Sequence, residues 1–310
     1  SAGLLFDARR VRGFCLMPAE CGALVRLSAM KLITWNVQWC RGIDGRVDPE
    51  RIVREARAFA DFDVLCLQEI SIGFADLPGS RGEDQMDRLR AALPGFRGFF
   101  GAATDQPDGR GGRRLFGNAI FTRLPVGQVF RHLLPWPADA ATPSMQRIAV
   151  EAVIEAPSGA LRVTTTHLEY YSVRQRVAQV DALRRLHAEA CEHARAPRQP
   201  GDAGEPFAFT SRPTAAIVCG DLNFTPDAPE HARLSAPFDD GTPRLVDAWP
   251  LVHADARHAC TVGVHDEQLP RTTWDHVFVS ADLAPRVRNL VVEAASRASD
   301  HQPVLLELDG

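Results

Sequence analysis

Val218-Cys219-Gly220-Asp221-Leu222-Asn223-Phe224 is the stretch from which the rest of this 310-residue chain can be read. The apolar run entering it, 215–219, has the length and composition of a short buried strand. Gly220 interrupts the run, and Asp221 and Asn223 follow two residues apart. On extended backbone, positions i and i+2 point the same way. A carboxylate and a carboxamide then lie side by side at the carboxyl end of a strand, where open sheets carry their chemistry. Gly, Asp and Asn are also common turn residues, so the stretch alone reads as a solvated turn too. Its weight comes from three other strands that end in the same way.

The first of these, 32–37, ends at Asn36. Asp48-Pro49 opens a helix, Asp as N-cap and Pro at the first helical position, with Ile52, Val53, Ala56 and Phe59 along one face. The second, 64–67, runs straight into Gln68-Glu69. A loop at 76–84, a short helix over 85–93 and a Gly- and Arg-rich loop at 104–114 lead to a strand at 115–121 that carries Asn118. Strands follow at 126–134, 146–155 and 160–167, the last two joined by the hairpin signal Pro157-Ser158-Gly159. The third polar-ended strand is 160–167, closing on His167. Ser172 and Gln175 form a capping box for a helix to about residue 190, with Val173, Val177, Val180, Leu183 and Leu186 on its apolar face. Residues 194–213 read as a surface loop and 228–235 as a short helix. Strands are expected near 245–248 and at 273–279, 286–293 and 303–308.

Composition bounds what such a chain does. It is 45% hydrophobic and 24% charged, as soluble globular proteins are, with length enough for one large core or two ordinary ones. A net charge of -4 supplies no global basic field for nucleic acid or anionic lipid. The seven cysteines include no C-x-x-C pair, and Cys66 and Cys219 fall inside apolar runs as small buried hydrophobes. Neither a disulfide framework nor a cysteine zinc site is indicated, and the expected location is the cytoplasm. No run approaches the length of a transmembrane helix, and no protein partner is indicated. Residues 1–29 carry Arg9, Arg10 and Arg12 ahead of a short apolar segment that Pro18 and Glu20 interrupt. They read as an extension outside the fold, leaving 30–310 as a single domain, with secretion the minority alternative.

Collected, the polar residues at strand ends are Asn36, Glu69, Asn118, His167, Asp221, Asn223, Asp275, Asp300 and His301. The set is rich in oxygen and free of cysteine, as the hard divalent cations Mg²⁺, Mn²⁺ and Ca²⁺ prefer, and Mg²⁺ or Mn²⁺ is the expected cofactor. Two histidines in such a set suit phosphate contact and proton handling better than metal ligation. Seven blocks carry a resemblance, in one order along 31–310: Thr34-Trp35-Asn36-Val37, Leu67-Gln68-Glu69, Gly117-Asn118-Ala119-Ile120-Phe121-Thr122-Arg123, Thr166-His167-Leu168, Gly220-Asp221-Leu222-Asn223, Trp274-Asp275-His276-Val277-Phe278-Val279-Ser280 and Ser299-Asp300-His301-Gln302-Pro303-Val304. With them the chain resembles the endonuclease/exonuclease/phosphatase (DNase-I-like) superfamily of metal-dependent phosphohydrolases. The resemblance implies an α/β fold, a four-layer α/β/β/α sandwich of two mixed sheets packed face to face with helices outside.

It also implies roles. Glu69 ligates the metal, with Asn36 and Asp300 close to it; Asp221 orients or deprotonates the attacking water; Asn223 holds a non-bridging phosphate oxygen. His301 contacts the scissile phosphate with Asp275 fixing its other ring nitrogen, His167 stabilises developing charge, and Asn118 positions phosphate or its neighbours. The expected substrate is a phosphodiester, with DNA and RNA among the candidates. Arg147 and Arg114 are candidate substrate contacts, each with an ordinary alternative as an ion-paired or solvated arginine. His276 alternates away from Asp275 and is expected to be packed, His253, His258 and His265 to be solvated in a loop, and Trp35 and Trp274 to be core. The run from Asn36 to Gly42 lacks the Asn-x-Asn/Asp-Gly-x-Arg pattern of abasic-site endonucleases. Thr166-His167-Leu168-Glu169 followed by Arg176 and Gln179 is similar to tyrosyl-DNA phosphodiesterases and sphingomyelinase-like members. A phosphomonoesterase, a lipid phosphodiesterase and a non-catalytic nucleic-acid-binding regulator on the same fold remain the alternatives.

Overall fold

Residues 29–196, 210, 212–266 and 269–310 are described by the computed structural model. The extension expected for 1–29 lies, Ala29 aside, outside the described residues, as does most of the loop expected at 194–213.

β1 (Met30–Asn36) shows how the sequence dictates the layering. Met30 and Leu32 join one apolar cluster, Ile33 and Trp35 another, and all four are buried. A strand apolar on both faces needs cover on both. β1 belongs to a six-stranded sheet with β2 (Val64–Ile72), β3 (Arg97–Pro107), β4 (Arg113–Thr122), β11 (Val287–Val292) and β12 (Val304–Leu308), in the order β11-β12-β1-β2-β4-β3. The second six-stranded sheet holds β5 (Val126–Leu133), β6 (Ile148–Ala156), β7 (Gly159–His167), β8 (Ala216–Asp221), β9 (Leu245–Asp247) and β10 (Asp275–Ser280), in the order β5-β6-β7-β8-β10-β9. β1 pairs with β2, and β7 with β8, in parallel. Each parallel pair is linked by a helix, α1 (Pro49–Phe59) in the first case and α3 (Val173–Arg195) in the second.

Three apolar clusters make the sandwich. Leu32, Cys66 and Ile120 meet Val150, Val163, Cys219 and Val277 between the sheets. Trp35, Leu65 and Phe121 pack with Ile52 and Val53 of α1 and Met86 and Leu89 of α2 (Gln85–Ala92). Val218 and Phe278 pack with Val180 and Leu183 of α3 and Leu234 of α4 (Pro229–Leu234). The four-layer arrangement is the one expected. Each large apolar side chain so buried contributes roughly 1.5–3 kcal/mol. No described helix is long and apolar enough to cross a membrane.

Local chemistry sets the element ends. Asp48 accepts from Arg51 N at 2.9 Å to start α1, Asp84 from Asp87 N at 3.0 Å to start α2, and Ser172 Oγ from Gln175 N at 3.2 Å to start α3. Several expectations are corrected. The loop expected at 104–114 is instead the paired ends of β3 and β4, with a turn in which Asp108 Oδ1 accepts from Arg110 N at 2.7 Å and Gly112 N at 2.8 Å. β3 as a whole was not expected, because its Gly, Ala and Phe residues alternate poorly. The strand near 245–248 stops at Asp247, which caps α5 (Ala248–His253) by accepting from Trp249 N at 2.9 Å. The buried face of α3 is also turned: Val173 is exposed, whereas Gln175 and Gln179 are buried and bonded to the carbonyls of Pro137 (2.9 Å) and Pro135 (3.3 Å).

Candidate active site

The carboxyl ends of the two parallel pairs meet at one rim. In the first sheet Asn36 stands in register with Gln68, one residue before Glu69. In the second, His167 is the partner of Asp221 and Asp221 the partner of Asp275, so three adjacent strands present these side chains in a row. Asn36 Nδ2 crosses the seam, donating to Asp221 Oδ2 at 2.9 Å and to Glu69 Oε1 at 3.1 Å. His167 lies between the same carboxylates, Nε2 at 3.3 Å from Asp221 Oδ2 and Nδ1 at 3.6 Å from Glu69 Oε1. His301 Nδ1 is 2.8 Å from Asp275 Oδ2, and its Nε2 is 3.7 Å from Asp221 Oδ2.

Unusual backbone delivers these groups. Between Leu67 and Ile70 the β2–β4 register slips by one residue, and Glu69 sits in that bulge at φ +62°. Asn223 is at φ +53°; its backbone N donates to Asp221 Oδ1 at 3.0 Å and its Nδ2 to Leu168 O at 2.9 Å. Gly220 adopts φ +135°, where a Cβ would come 2.0 Å from the Thr166 carbonyl oxygen; only glycine lets β8 lie this close to β7. Non-glycine residues held at positive φ cost of order 1–3 kcal/mol each and cluster where geometry serves chemistry.

Some contributors were not singled out by sequence reasoning. Gln38, Trp39 and Cys40 run consecutively at φ +45°, +43° and +59°. This left-handed turn aims Gln38 Nε2 at Asp300 Oδ2 (2.5 Å), and Gln38 N donates to Asn36 Oδ1 (3.1 Å). Ser299 Oγ donates to Asn36 O at 2.8 Å and accepts from His301 N at 3.2 Å, while Trp35 Nε1 donates to His301 O at 2.9 Å. Trp274, expected in the core, is half-buried beside the site, with ring centroids 6.3 Å from His301 and 5.4 Å from Tyr170. Alternation within the Asn36–Gln38 and Ser299–His301 stretches was the only signal for Gln38 and Ser299.

Two remaining polar residues border the constellation. Asn118 Nδ2 donates to Ile148 O at 2.9 Å, and Asn118, Arg147 and His167 line a cavity of about 10 Å³. Arg147 is buried and pairs with the fully buried Glu169 at 3.2 Å. Arg114 instead pairs with Asp76 at 3.0 Å and lies 4.8 Å over the Phe74 ring, partners that are not members of the constellation. The solvated loop expected for His253 and His258 is also corrected: His253 ends α5 with Nε2 2.7 Å from Leu290 O, and His258 Nε2 is 2.7 Å from Asp247 Oδ2. His276 is packed on the face opposite Asp275, as alternation implied.

Electrostatically the rim holds too much negative charge for its cations. Burial, then the charge of Asp300, pushes the Glu69 carboxyl up, although the Asn36 hydrogen bond opposes this. Burial lifts Asp221 to about 7; Asp275 and Glu69 add to the rise, while the positive charge of His301 and the Asn36 bond work against it. Burial alone would lower His301, but the carboxylates of Asp275 and Asp221 outweigh it and hold the imidazolium well above the ordinary histidine range. Burial, with Arg147 and His301 nearby, holds His167 well below that range, so it is neutral. Buried carboxyls whose acidity is suppressed by one another form a site that a divalent cation would relieve, and their oxygens are the donors Mg²⁺ and Mn²⁺ take. The residues therefore fit such an ion.

Residues 33–301 match the model of the Endonuclease/Exonuclease/phosphatase family. The chain belongs to this family. Its members hydrolyse phosphoester bonds with a divalent metal, so a phosphoesterase is the class of enzyme supported here. No curated protein matches the chain. Solved structures share the family's fold. The endonuclease/exonuclease/phosphatase from Beutenbergia cavernae is 24% identical at TM-score 0.64, covering 91% of this chain and 71% of that one. The mannosyl-6-phosphatase Bt3783 of Bacteroides thetaiotaomicron is 18% identical at TM-score 0.62, covering 91% and 100%. The human Nocturnin catalytic domain, solved with a bound sulfate anion, is 20% identical at TM-score 0.58, covering 91% and 94%.

Proposed function

We propose that this chain is a divalent-metal-dependent phosphodiesterase that hydrolyses a P–O bond, at a nucleic acid end or in a small phosphodiester, by in-line attack of an activated water. One observation carries the reading: Asp221 stands between His167 of the neighbouring strand and His301, which precedes β12 of the other sheet, with Glu69 tied to it through Asn36. A Mg²⁺ or Mn²⁺ ion held by Glu69, with Asp300 and Asn36 beside it, supplies the positive charge that offsets an anionic phosphate. The remaining work falls to the chain. Asp221, at about 7, has the affinity to take a proton from water near neutral pH. His301 keeps its proton, held by Asp275, and donates to a non-bridging oxygen. Neutral His167 donates to developing charge from the other side, and Asn223 offers its second amide hydrogen to the phosphate. Asn118 positions its neighbours, and Arg147 borders the same space.

Two features favour a diester over a monoester. Arg147 is already compensated by buried Glu169 and His301 by Asp275, so neither offers a full uncompensated charge and the pair suits a singly charged group. Beside it, Trp274, Tyr170 and Tyr171 form a chain of edge-on aromatic contacts, the two tyrosines 45% and 58% exposed, and exposed rings accept bases by stacking. We take 30–310 as one catalytic domain; the free thiols Cys40, Cys66, Cys191, Cys219 and Cys260 suit work in a reducing cytoplasm. Hydrolysis of bis(p-nitrophenyl) phosphate and of p-nitrophenyl phosphate, with Mg²⁺ or Mn²⁺, tests the proposal. The diester should be cleaved, and His301→Ala should lower kcat by ~10²-fold or more. Cleavage of the monoester alone removes the diesterase, and no difference between wild type and His301→Ala points to a non-catalytic binder.

A further inference from the structure

Behind β10, on the face opposite Asp275, lies a second cluster that the phosphoesterase chemistry does not use. It brings together His231 of α4, Asp247 at the junction of β9 and α5, His258 of the following loop and His276 of β10. One nitrogen or oxygen from each lies within 4.8 Å of one from each of the others. His231 Nε2 and His258 Nε2 both approach Asp247 Oδ2, at 2.8 and 2.7 Å. Asp247 Oδ1 is occupied by Trp249 N at 2.9 Å, which fixes the carboxylate and turns Oδ2 inward. His276 Nε2 donates to Phe224 O at 2.8 Å, so in the neutral ring Nδ1 carries the lone pair. That Nδ1 is buried and has no hydrogen-bond partner.

Hydrogen-bond accounting separates two explanations. As a network centred on Asp247, the cluster satisfies two imidazoles and strands the third, a buried acceptor left without a donor. As a ligand set, all four atoms are used and none is stranded. The bond from His276 Nε2 to a backbone carbonyl is the outer contact that metal-bound histidines make to fix their tautomer. Asp247, His258 and His276 also line a cavity of about 10 Å³, room for a single small particle. Three imidazoles and one carboxylate suit a borderline ion such as Zn²⁺, in contrast to the oxygen-rich rim around Glu69. Tetrahedral ligands on Zn²⁺ lie about 3.3 Å from one another, so the two closest pairs must open by about half an ångström and the widest must draw in.

We propose that His231, Asp247, His258 and His276 form a four-coordinate site for a transition-metal ion of the Zn²⁺ class, separate from the phosphoesterase centre. With four protein ligands the site is closed and structural. It pins the three-residue edge strand β9, the short helix α4 and the loop carrying His258 to the back of β10. The strand thus held is the one whose next residue, Asp275, orients His301. Loading should release protons, since the two nitrogens now paired with Asp247 must give theirs up to bind metal.

The test uses the whole chain, stripped with chelator and dialysed against one equivalent of Zn²⁺ in excess Mg²⁺. Wild type should retain one zinc per chain, and His301→Ala should retain it equally. His231→Ala and His258→Ala, on half-buried residues of two different segments, should each bind zinc at least ~10-fold more weakly. Zinc should raise the Tm of wild type and not of either variant. Replacement by Co²⁺ should give the intense visible absorption of a tetrahedral ion. Failure of wild type to hold zinc, equal affinity in the two ligand variants, or loss of zinc in His301→Ala would each overturn the proposal. Should a variant fail to fold, the wild-type Co²⁺ spectrum decides, and the weak bands of an octahedral ion count against the site.

Discussion

Asp221 is buried among charged and polar side chains at the rim. It is flanked by His167, His301 and Asn36 and pushed to about 7 from an ordinary 3.8, first by burial and then by Asp275 and Glu69. Between those two values the folded chain holds a proton that the unfolded chain has lost, so stability falls as pH climbs through that window. His301 acts in the same direction: its contribution is full below the ordinary histidine value and is lost as pH rises through its elevated one. Several buried histidines with lowered values, His167, His187 and His276 among them, act the opposite way over the same range, so the comparison of wild type with variant isolates Asp221. In chelator, the urea midpoint of Asp221→Asn should rise relative to that of the wild type between pH 4 and pH 7, and a difference that stays constant over this interval would contradict the assignment. Asp221, His167 and His301 were legible in the sequence because each sits in a short block with polar residues at strand spacing. Their opposed protonation was not, since it arises from charges that four separate segments bring together.

Strands and turns aim these side chains, and Gly220 is where that can be tested most simply. At φ +135°, with the Thr166 carbonyl 2.0 Å from where a Cβ would stand, Gly220→Ala must displace either β7 or β8. The expected loss is on the order of 3 kcal/mol. Gly159 provides the control: it is at φ +116° with nothing within 4 Å of a Cβ, so Gly159→Ala bears only the backbone strain. Urea unfolding of both should show the larger loss at 220, and equal losses would mean that the close approach of β7 and β8 carries no cost. β1, β2, β7 and β8 were readable because each is a continuous apolar run with a polar end. β3 was not, because its pairing with β4 is what makes its mixed residues extended. α5 was missed because one cap, Asp247, stops a strand and starts a helix. The left-handed turn at Gln38–Cys40 had no sequence signal either, for none of its residues favours positive φ.

Across the whole molecule, the two sheets each contribute one parallel pair, and the rim where both pairs end is the only place where Asn36 can reach Asp221. The four-layer architecture was implied by the family resemblance of the seven blocks, and strands apolar on both faces, with helices outside and a shared core between, account for it physically. The cluster at His231, Asp247, His258 and His276 did not follow, because its residues come from a short helix, a cap, a loop and a strand with no common spacing. The account turns on whether the rim gathers its carboxylates around a cation. A crystal of the chain grown with Mn²⁺ and measured for anomalous scattering addresses this directly. The strongest anomalous peak outside the His231–His276 cluster should lie within ligand distance of Glu69, on the side of Asp221 and His301. A peak elsewhere, with Glu69 and Asp300 free of metal at saturating Mn²⁺, would contradict the account.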